Sequence, residues 1–258
     1  MGVVLVTGAS RSLGAAMARA LGAAGWSVAV NYAHDDAGAG AVVDDIVSAG
    51  GKAAAFKFDV TDKASVRHGI REIEAKLGAL DVIVNNAWGG GTIKRLENKS
   101  DDEMMHGVRL GYMAVFFLMQ AAYPHLKKQG GSIVTLCSLN GVNAHLYTAE
   151  YNGAKEAARA LTRTAAREWA RHGIRANVIC PAAATEAYEA FRQMAPDNAA
   201  ALLKQNPMGR MGDPEDDIGS VALFLASDDS RYLTGNTLFA DGGSHMNGVQ
   251  WDPELPED

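Results

Sequence analysis

Short apolar runs of strand type recur along the chain, at residues 3–6, 28–31, 53–58, 82–84, 132–136, 176–179 and 237–239, and most are apolar on both faces. Between them lie longer stretches in which apolar side chains return at helical spacing, over residues 13–24, 37–49, 64–77, 102–125, 150–172 and 214–226. A strand with two apolar faces must be covered on both, and strands that alternate with helices are joined by right-handed crossovers. The pattern therefore predicts an α/β fold, a single-domain, doubly wound parallel sheet of Rossmann-like form with helices on both faces. No Pro/Gly/Ser-rich linker and no internal repeat divides residues 1–258, so one domain is expected. Two segments break the alternation. Residues 183–212, with Tyr188, Phe191, Met194 and Met208, predict an inserted helical flap between a strand end and the next helix. Residues 246–258 are expected to form a C-terminal tail whose acidic end extends over the surface or toward a neighbouring subunit.

Composition narrows the function classes. A hydrophobic share of 48% over 258 residues suffices for a buried core and excludes disorder as the global state. Lys+Arg 24 against Asp+Glu 30 gives a net charge of -6 with no basic block, which argues against nucleic acid as a partner. The richest apolar run, residues 112–119, falls well short of the ~20 residues of a membrane span. The chain opens into a strand-like segment without a signal-peptide pattern, so a cytoplasmic protein is expected. Cys137 and Cys180 end strand-like runs and are expected to be buried free thiols. The histidines form no His-x-x-x-His pair or Cys/His cluster, and no metal site is expected. The stretch carrying Tyr112, Val115, Phe116, Phe117, Leu118 and Met119 is apolar nearly all round and must be buried in the core or against another chain.

Candidate chemistry starts directly after the first strand, at Thr7-Gly8-Ala9-Ser10-Arg11-Ser12-Leu13-Gly14, where a helix begins. A tight strand-to-helix turn aims free backbone N–H groups and the positive end of the helix dipole at a phosphate, and glycine lets the backbone come close. A dinucleotide site also expects an acid at the end of the second strand to hold the ribose hydroxyls, but that end is Asn31-Tyr32. Arg11 in the turn can hold a 2′-phosphate instead. NADP(H) is favoured on this ground, with NAD(H) left open because Asp35 and Asp36 follow closely. Further on, Tyr151 and Lys155 lie four residues apart, on one face of a helix. A phenol of ordinary pKa ~10 exchanges protons poorly at neutral pH unless a cation favours the phenolate, and Lys155 is such a cation. Ser138 follows a strand at the carboxyl edge of the sheet, where its hydroxyl can donate to a substrate carbonyl.

With these motifs the chain resembles the short-chain dehydrogenase/reductase family, nearest in style to the 3-oxoacyl-acyl-carrier-protein reductases. The resemblance runs through the glycine turn, Asp59-Val60, Asn85-Asn86-Ala87, Ser138, Tyr151 with Lys155, Asn177 ahead of Pro181, and Arg210-Met211-Gly212 leading to Asp241-Gly242-Gly243. It implies a hydride passed between a nicotinamide and a carbonyl or carbinol carbon, with Tyr151 transferring the proton and Ser138 steadying the oxygen. It implies cofactor contacts from Gly8, Ser10, Arg11, Ser12, Leu13 and Gly14, from Tyr32, from Asp59 and Val60 at the adenine, and from Asn86 and Ala87. Pro181, Ala184, Tyr151 and Lys155 complete that set, Lys155 on the nicotinamide ribose. Trp88, Asn140, His145, Tyr147, Tyr188 and Phe191 are the candidates for shaping the substrate pocket, and a homotetramer, or at least a dimer, is implied.

The chain also departs from the family pattern. Ser12 stands for the middle glycine of the turn, tolerable if that position does not need positive φ. Gly111 stands for a tetrad asparagine, whose backbone carbonyl a glycine can still supply, so Gly111→Asn is expected to leave activity within about an order of magnitude of wild type or raise it. Trp88 and Ala182 replace glycines, and Glu186 occupies the place of a threonine. Ser12, Gly111 and Ala182 motivate one alternative, a dinucleotide-binding sensor or assembly protein that has lost turnover.

Overall fold

The structure, a computed structural model, describes residues 1–246. The acidic end of the C-terminal tail expected from the sequence lies outside the described residues. A seven-stranded, wholly parallel sheet is built from β1 (Val3–Val6), β2 (Ser27–Tyr32), β3 (Lys52–Lys57), β4 (Leu80–Asn85), β5 (Gly131–Leu136), β6 (Ile174–Pro181) and β7 (Thr237–Ala240), in the order β3-β2-β1-β4-β5-β6-β7. β1 pairs with β2 on one side (Val4 with Val28) and with β4 on the other (Val4 with Val82). The strand order reverses at β1, so a crevice opens between the carboxyl ends of β1 and β4.

Alternation along each strand sends side chains into two separate cores. Leu5, Ile83 and Ile133 pack with Ile73 of α3 (Lys63–Leu77) and with Leu118 and Met119. Val4, Val6, Val28, Val84 and Val134 pack on the other face with Met17 and Leu21 of α1 (Ser12–Ala23) and Ile46 of α2 (Asp36–Ser48). Both faces are dry, which is why the strands read as continuous apolar runs rather than alternating ones.

The helical stretch expected over 102–125 is not one helix. It divides into α4 (Asp101–Gly107), a π-helical segment over Val108–Met113, and α5 (Ala114–Gln129). α4 starts with a capping box, Ser100 Oγ accepting from the Glu103 N–H while Glu103 accepts from the Ser100 N–H, and Asp101, Asp102 and Glu103 fill its first turn. The stretch expected over 214–226 opens likewise with a π-helical segment, Pro214–Gly219, before α10 (Ser220–Ala226). π-bulges of this kind concentrate at functional sites. Between them come the short α6 (Leu139–Val142) and the long α7 (Ala149–Trp169). The flap consists of α8 (Glu186–Met194) and α9 (Pro196–Gln205). Among the described residues no helix is long and apolar enough to cross a membrane. Cys137 and Cys180 are free and buried.

Candidate active site

The carboxyl ends of β1, β4, β5 and β6 and residues of five helices meet around one cavity of 1110 Å³, just above the ~300–1,000 Å³ range of small-molecule sites. β1 delivers the glycine turn. Gly8 has φ 61°, and a Cβ there would sit 2.8 Å from Ala87 Cα. A Cβ at Gly14 would lie 2.6 Å from Asn86 Nδ2. Glycine is needed at both positions for the turn to pack against the end of β4. Asn86 ties the two ends together, its side-chain amide donating to Thr7 O (2.9 Å) and Gly8 O (3.2 Å). The Thr7 hydroxyl accepts from the Asn86 and Ala87 amides at 3.0 and 3.1 Å. Gly8, Arg11, Ser12, Leu13, Gly14 and Asn86 all line the cavity, with the start of α1 directed at it. A locked glycine turn at a helix N-terminus, beside a cavity of this size, fits the pyrophosphate of a dinucleotide.

Ser12 corrects the sequence expectation. Its φ is 51°, in the left-handed region, so the position does require positive φ and serine accepts it under strain. The acids that left the cofactor open are both engaged. The Asp35 carboxylate caps α2 by accepting from the Gly38 N–H (2.9 Å). Asp36 meets Lys57 Nζ at 2.9 Å and accepts from the Tyr32 hydroxyl, also at 2.9 Å. These hydrogen bonds hold the Asp36 carboxyl below its ordinary value and push the Tyr32 phenol above its own. Arg11 is exposed at the cavity edge, 3.8 Å from Glu186 at the start of α8.

Ser138, Tyr151 and Lys155 line the same cavity. The Ser138 Oγ accepts from the Asn140 N–H at 3.1 Å, capping α6, which leaves its own proton free to donate. Lys155 is buried, and its ammonium donates to Leu136 O at 2.7 Å, so two of its three donors remain. The same ammonium stands 5.6 Å from the centre of the Tyr151 ring. Beneath it, Cys137 donates from Sγ to Lys155 O, and burial pushes that thiol up to about 12 and Cys180 up to about 11, so neither is a nucleophile.

Trp88, Asn140 and His145 also line the cavity, with Pro181. Partial desolvation holds the imidazole of His145, on the exposed rim loop, below its ordinary value. Tyr147 does not line the cavity, although it sits in the rim loop at φ 71° and its carbonyl accepts from the Lys94 N–H at 3.0 Å. Tyr188 and Phe191 of the flap stand away from it too. The flap instead contributes Glu186, Ala187, Leu202 and Gln205, which the sequence reading missed, and Met211 and Met246 join them from its far side. Ser10, Tyr32, Asp59, Val60, Ala87 and Ala184 also lie outside the cavity wall. The Asp59 side chain is occupied by Thr61, and Val60 is buried in the core.

Gly111 lies in the π-helical segment, pressed against α7. A Cβ there would run into Ala154 Cβ and come within 3.1 Å of Trp88 Cζ3. Gly111→Asn is therefore expected to be disruptive, contrary to the expectation from the sequence. Among the described residues no group of three His, Cys, Asp or Glu side chains is placed to hold a metal ion.

A dinucleotide-type turn and a Ser, Tyr and Lys group on one parallel-sheet edge define a dehydrogenase or reductase of the Rossmann type. The family model described as enoyl-(acyl carrier protein) reductase matches residues 8–245. The chain is 38% identical over 242 residues to 3beta-hydroxysteroid dehydrogenase 1 of Eggerthella lenta, covering 93% of this chain and 92% of that one. It is 35% identical to acetoacetyl-CoA reductase of Rhizobium meliloti strain 1021, covering 95% and 98%. A solved structure of a candidate short-chain alcohol dehydrogenase from Sinorhizobium meliloti 1021 superposes with a TM-score of 0.88 at 35% identity, covering 94% of this chain and 95% of that one. The chain belongs to the short-chain dehydrogenase/reductase family and is an oxidoreductase. The family implies a nicotinamide dinucleotide cofactor and a small-molecule substrate.

Proposed function

We propose that this protein interconverts a ketone and a secondary alcohol at the expense of NADP(H). The observation that carries the reading is the Lys155 ammonium, buried and 5.6 Å from the Tyr151 ring, on the wall of the cavity that the glycine turn also lines. A nicotinamide bound there supplies or accepts the hydride. Tyr151 gives the proton to the carbonyl oxygen, or takes it from the alcohol, with the Lys155 ammonium standing beside its ring. The Ser138 hydroxyl, its lone pair already engaged by the Asn140 amide, turns its proton toward the substrate oxygen. With one donor spent on Leu136 O, Lys155 keeps donors for the cofactor ribose and the phenol.

NADP(H) is favoured because Arg11 is the cation at the turn, while Asp35 and Asp36, the acids that could take ribose hydroxyls, are engaged elsewhere. Trp88, Leu139, Met211 and Met246 give the cavity apolar wall, which supports an uncharged, hydrophobic substrate. The test is Tyr151→Phe. NADPH binding should stay near wild type while turnover falls by at least ~10², the usual contribution of general acid catalysis. Unchanged turnover would remove Tyr151 from its role.

We further propose that the chain associates into a dimer or tetramer. Met105 and Val108 are 43% and 41% exposed, and with half-buried Tyr112 and Phe116 they recur at helical spacing from α4 to α5.

A further inference from the structure

We propose that Trp88 is a positioning residue for the Tyr151–Lys155 pair, an inference that rests on the catalytic reading above. The indole packs edge-on against the Tyr151 ring, with centroids 4.8 Å apart and planes at 68°. The Lys155 ammonium lies 5.6 Å from the indole centre, the same distance as from the phenol ring. One aromatic side chain thus touches both members of the pair. Its bulk limits the phenol's rotation, and its π face holds the cation beside the phenol and keeps water from screening the two.

The surroundings are arranged to seat an indole. Gly111 lacks the Cβ that would come within 3.1 Å of Cζ3. His106 closes the far side, its ring 6.0 Å from the indole and its Nε2 2.6 Å from Gly89 O in the same loop. That loop is fastened to the start of α7 at the residue preceding Tyr151. Glu150 Oε1 accepts from the Thr92 N–H at 2.8 Å, and Oε2 meets Lys99 Nζ at 2.5 Å, with the two side chains 1% and 2% exposed. Lys99 donates also to Thr92 O at 2.7 Å, so a buried ion pair ties the loop to the helix turn. The indole and the phenol are carried by two segments that cannot slide past each other without breaking this pair.

A residue that only walls the substrate would act on KM, whereas a positioning residue acts on kcat and its pH dependence. The experiment measures kcat, KM and the pH profile with NADPH and a ketone the wild type reduces, for Trp88→Phe, Trp88→Leu and Trp88→Ala, with Tyr151→Phe as control. Trp88→Leu keeps an apolar side chain, smaller and without a π face, and leaves less of a void than Trp88→Ala, so it reads the effect even if Trp88→Ala does not fold. Trp88→Leu and Trp88→Ala should lower kcat by about tenfold or more, with the KM for NADPH little changed. The pH profile should differ from that of the wild type, because phenol and ammonium are no longer held in one arrangement, and Trp88→Phe should restore most of the rate. Wild-type kcat and profile in folded Trp88→Leu, or a rise in substrate KM alone, would overturn the proposal while leaving the reductase reading intact. Retention of turnover in Tyr151→Phe would overturn that reading and this proposal with it.

Discussion

At the scale of single residues, the candidate catalytic pair was legible because the chemistry proposed for it depends on spacing: Tyr151 and Lys155 must share a helix face, and four residues put them there. Ser12 shows the opposite case, since the sequence did not reveal which turn position takes positive φ. At φ 51° a serine costs ~1–2 kcal/mol that glycine does not. Ser12→Gly, partly offset by the greater freedom of the unfolded chain, should raise the melting midpoint by about 2–4 °C in calorimetry. A lower midpoint would mean that the hydroxyl contributes more than the strain costs. Arg11 and Glu186 give a paired test of the cofactor. Arg11→Ala should weaken NADPH binding more than NADH binding in fluorescence titrations, because only NADPH offers a 2′-phosphate to the guanidinium. Glu186→Gln should act the other way, tightening NADPH by less than about fivefold, since the 3.8 Å pair it removes is exposed. Equal losses of both cofactors in Arg11→Ala would sink the 2′-phosphate assignment.

Elements were legible where the hydrophobic period is clean and illegible where it is interrupted. The strands and α1, α2, α3 and α7 fall where the pattern put them, within a residue or two at most ends. The π-helical interruption at Val108–Met113 was not foreseen, because a single inserted residue shifts the apolar phase too little to show in so short a segment. The Lys99–Glu150 pair was missed for another reason: its partners are 51 residues apart, and nothing local distinguishes a buried acid from a solvated one. Burial opposes ionisation of Glu150, but the Lys99 ammonium and the Thr92 amide outweigh it and hold the carboxyl below its ordinary value. A depressed carboxylate contributes stability above its unfolded pKa and loses it as pH falls through the folded one. Lys99→Met leaves that carboxylate buried without its cation. The substitution should cost about 3–5 kcal/mol, read as a lower urea midpoint at unchanged slope. Its pH dependence should be reversed: with the Glu150 pKa now raised above its unfolded value, the variant should regain stability as pH falls from 8 toward ~5. A variant that stays equally unstable across that range would show that Glu150 remains satisfied by Thr92 alone.

For the whole molecule, sheet order decides what meets what. Reversal at β1 brings the ends of β1, β4 and β5 to one crevice, so the glycine turn, Asn86 and Ser138 converge although up to 130 residues separate them. That convergence was readable, because parallel sheets covered on both faces bind ligands only at this edge. The flap was not: α8 has no buried residue, so its apolar side chains carry no information about which neighbour they face. Tyr188 and Phe191 do not line the cavity, while Leu202 and Gln205 do. Association belongs to this scale as well. Met105 and Val108 stand exposed at the α4–α5 junction, and the π-helical segment that follows presses its Gly111 against α7, opposite Ala154. A chain that docks across this face would cover apolar surface and at the same time brace the helix carrying Tyr151 and Lys155. Light scattering of the wild type should therefore give a mass at a multiple of 27.2 kDa, and Val108→Glu, placing a charge at the centre of the face, should shift it toward 27.2 kDa. Turnover should fall with dissociation, because α7 loses that support. A wild type that runs at 27.2 kDa would remove the interface, and a fully active Val108→Glu monomer would show that α7 stands without it.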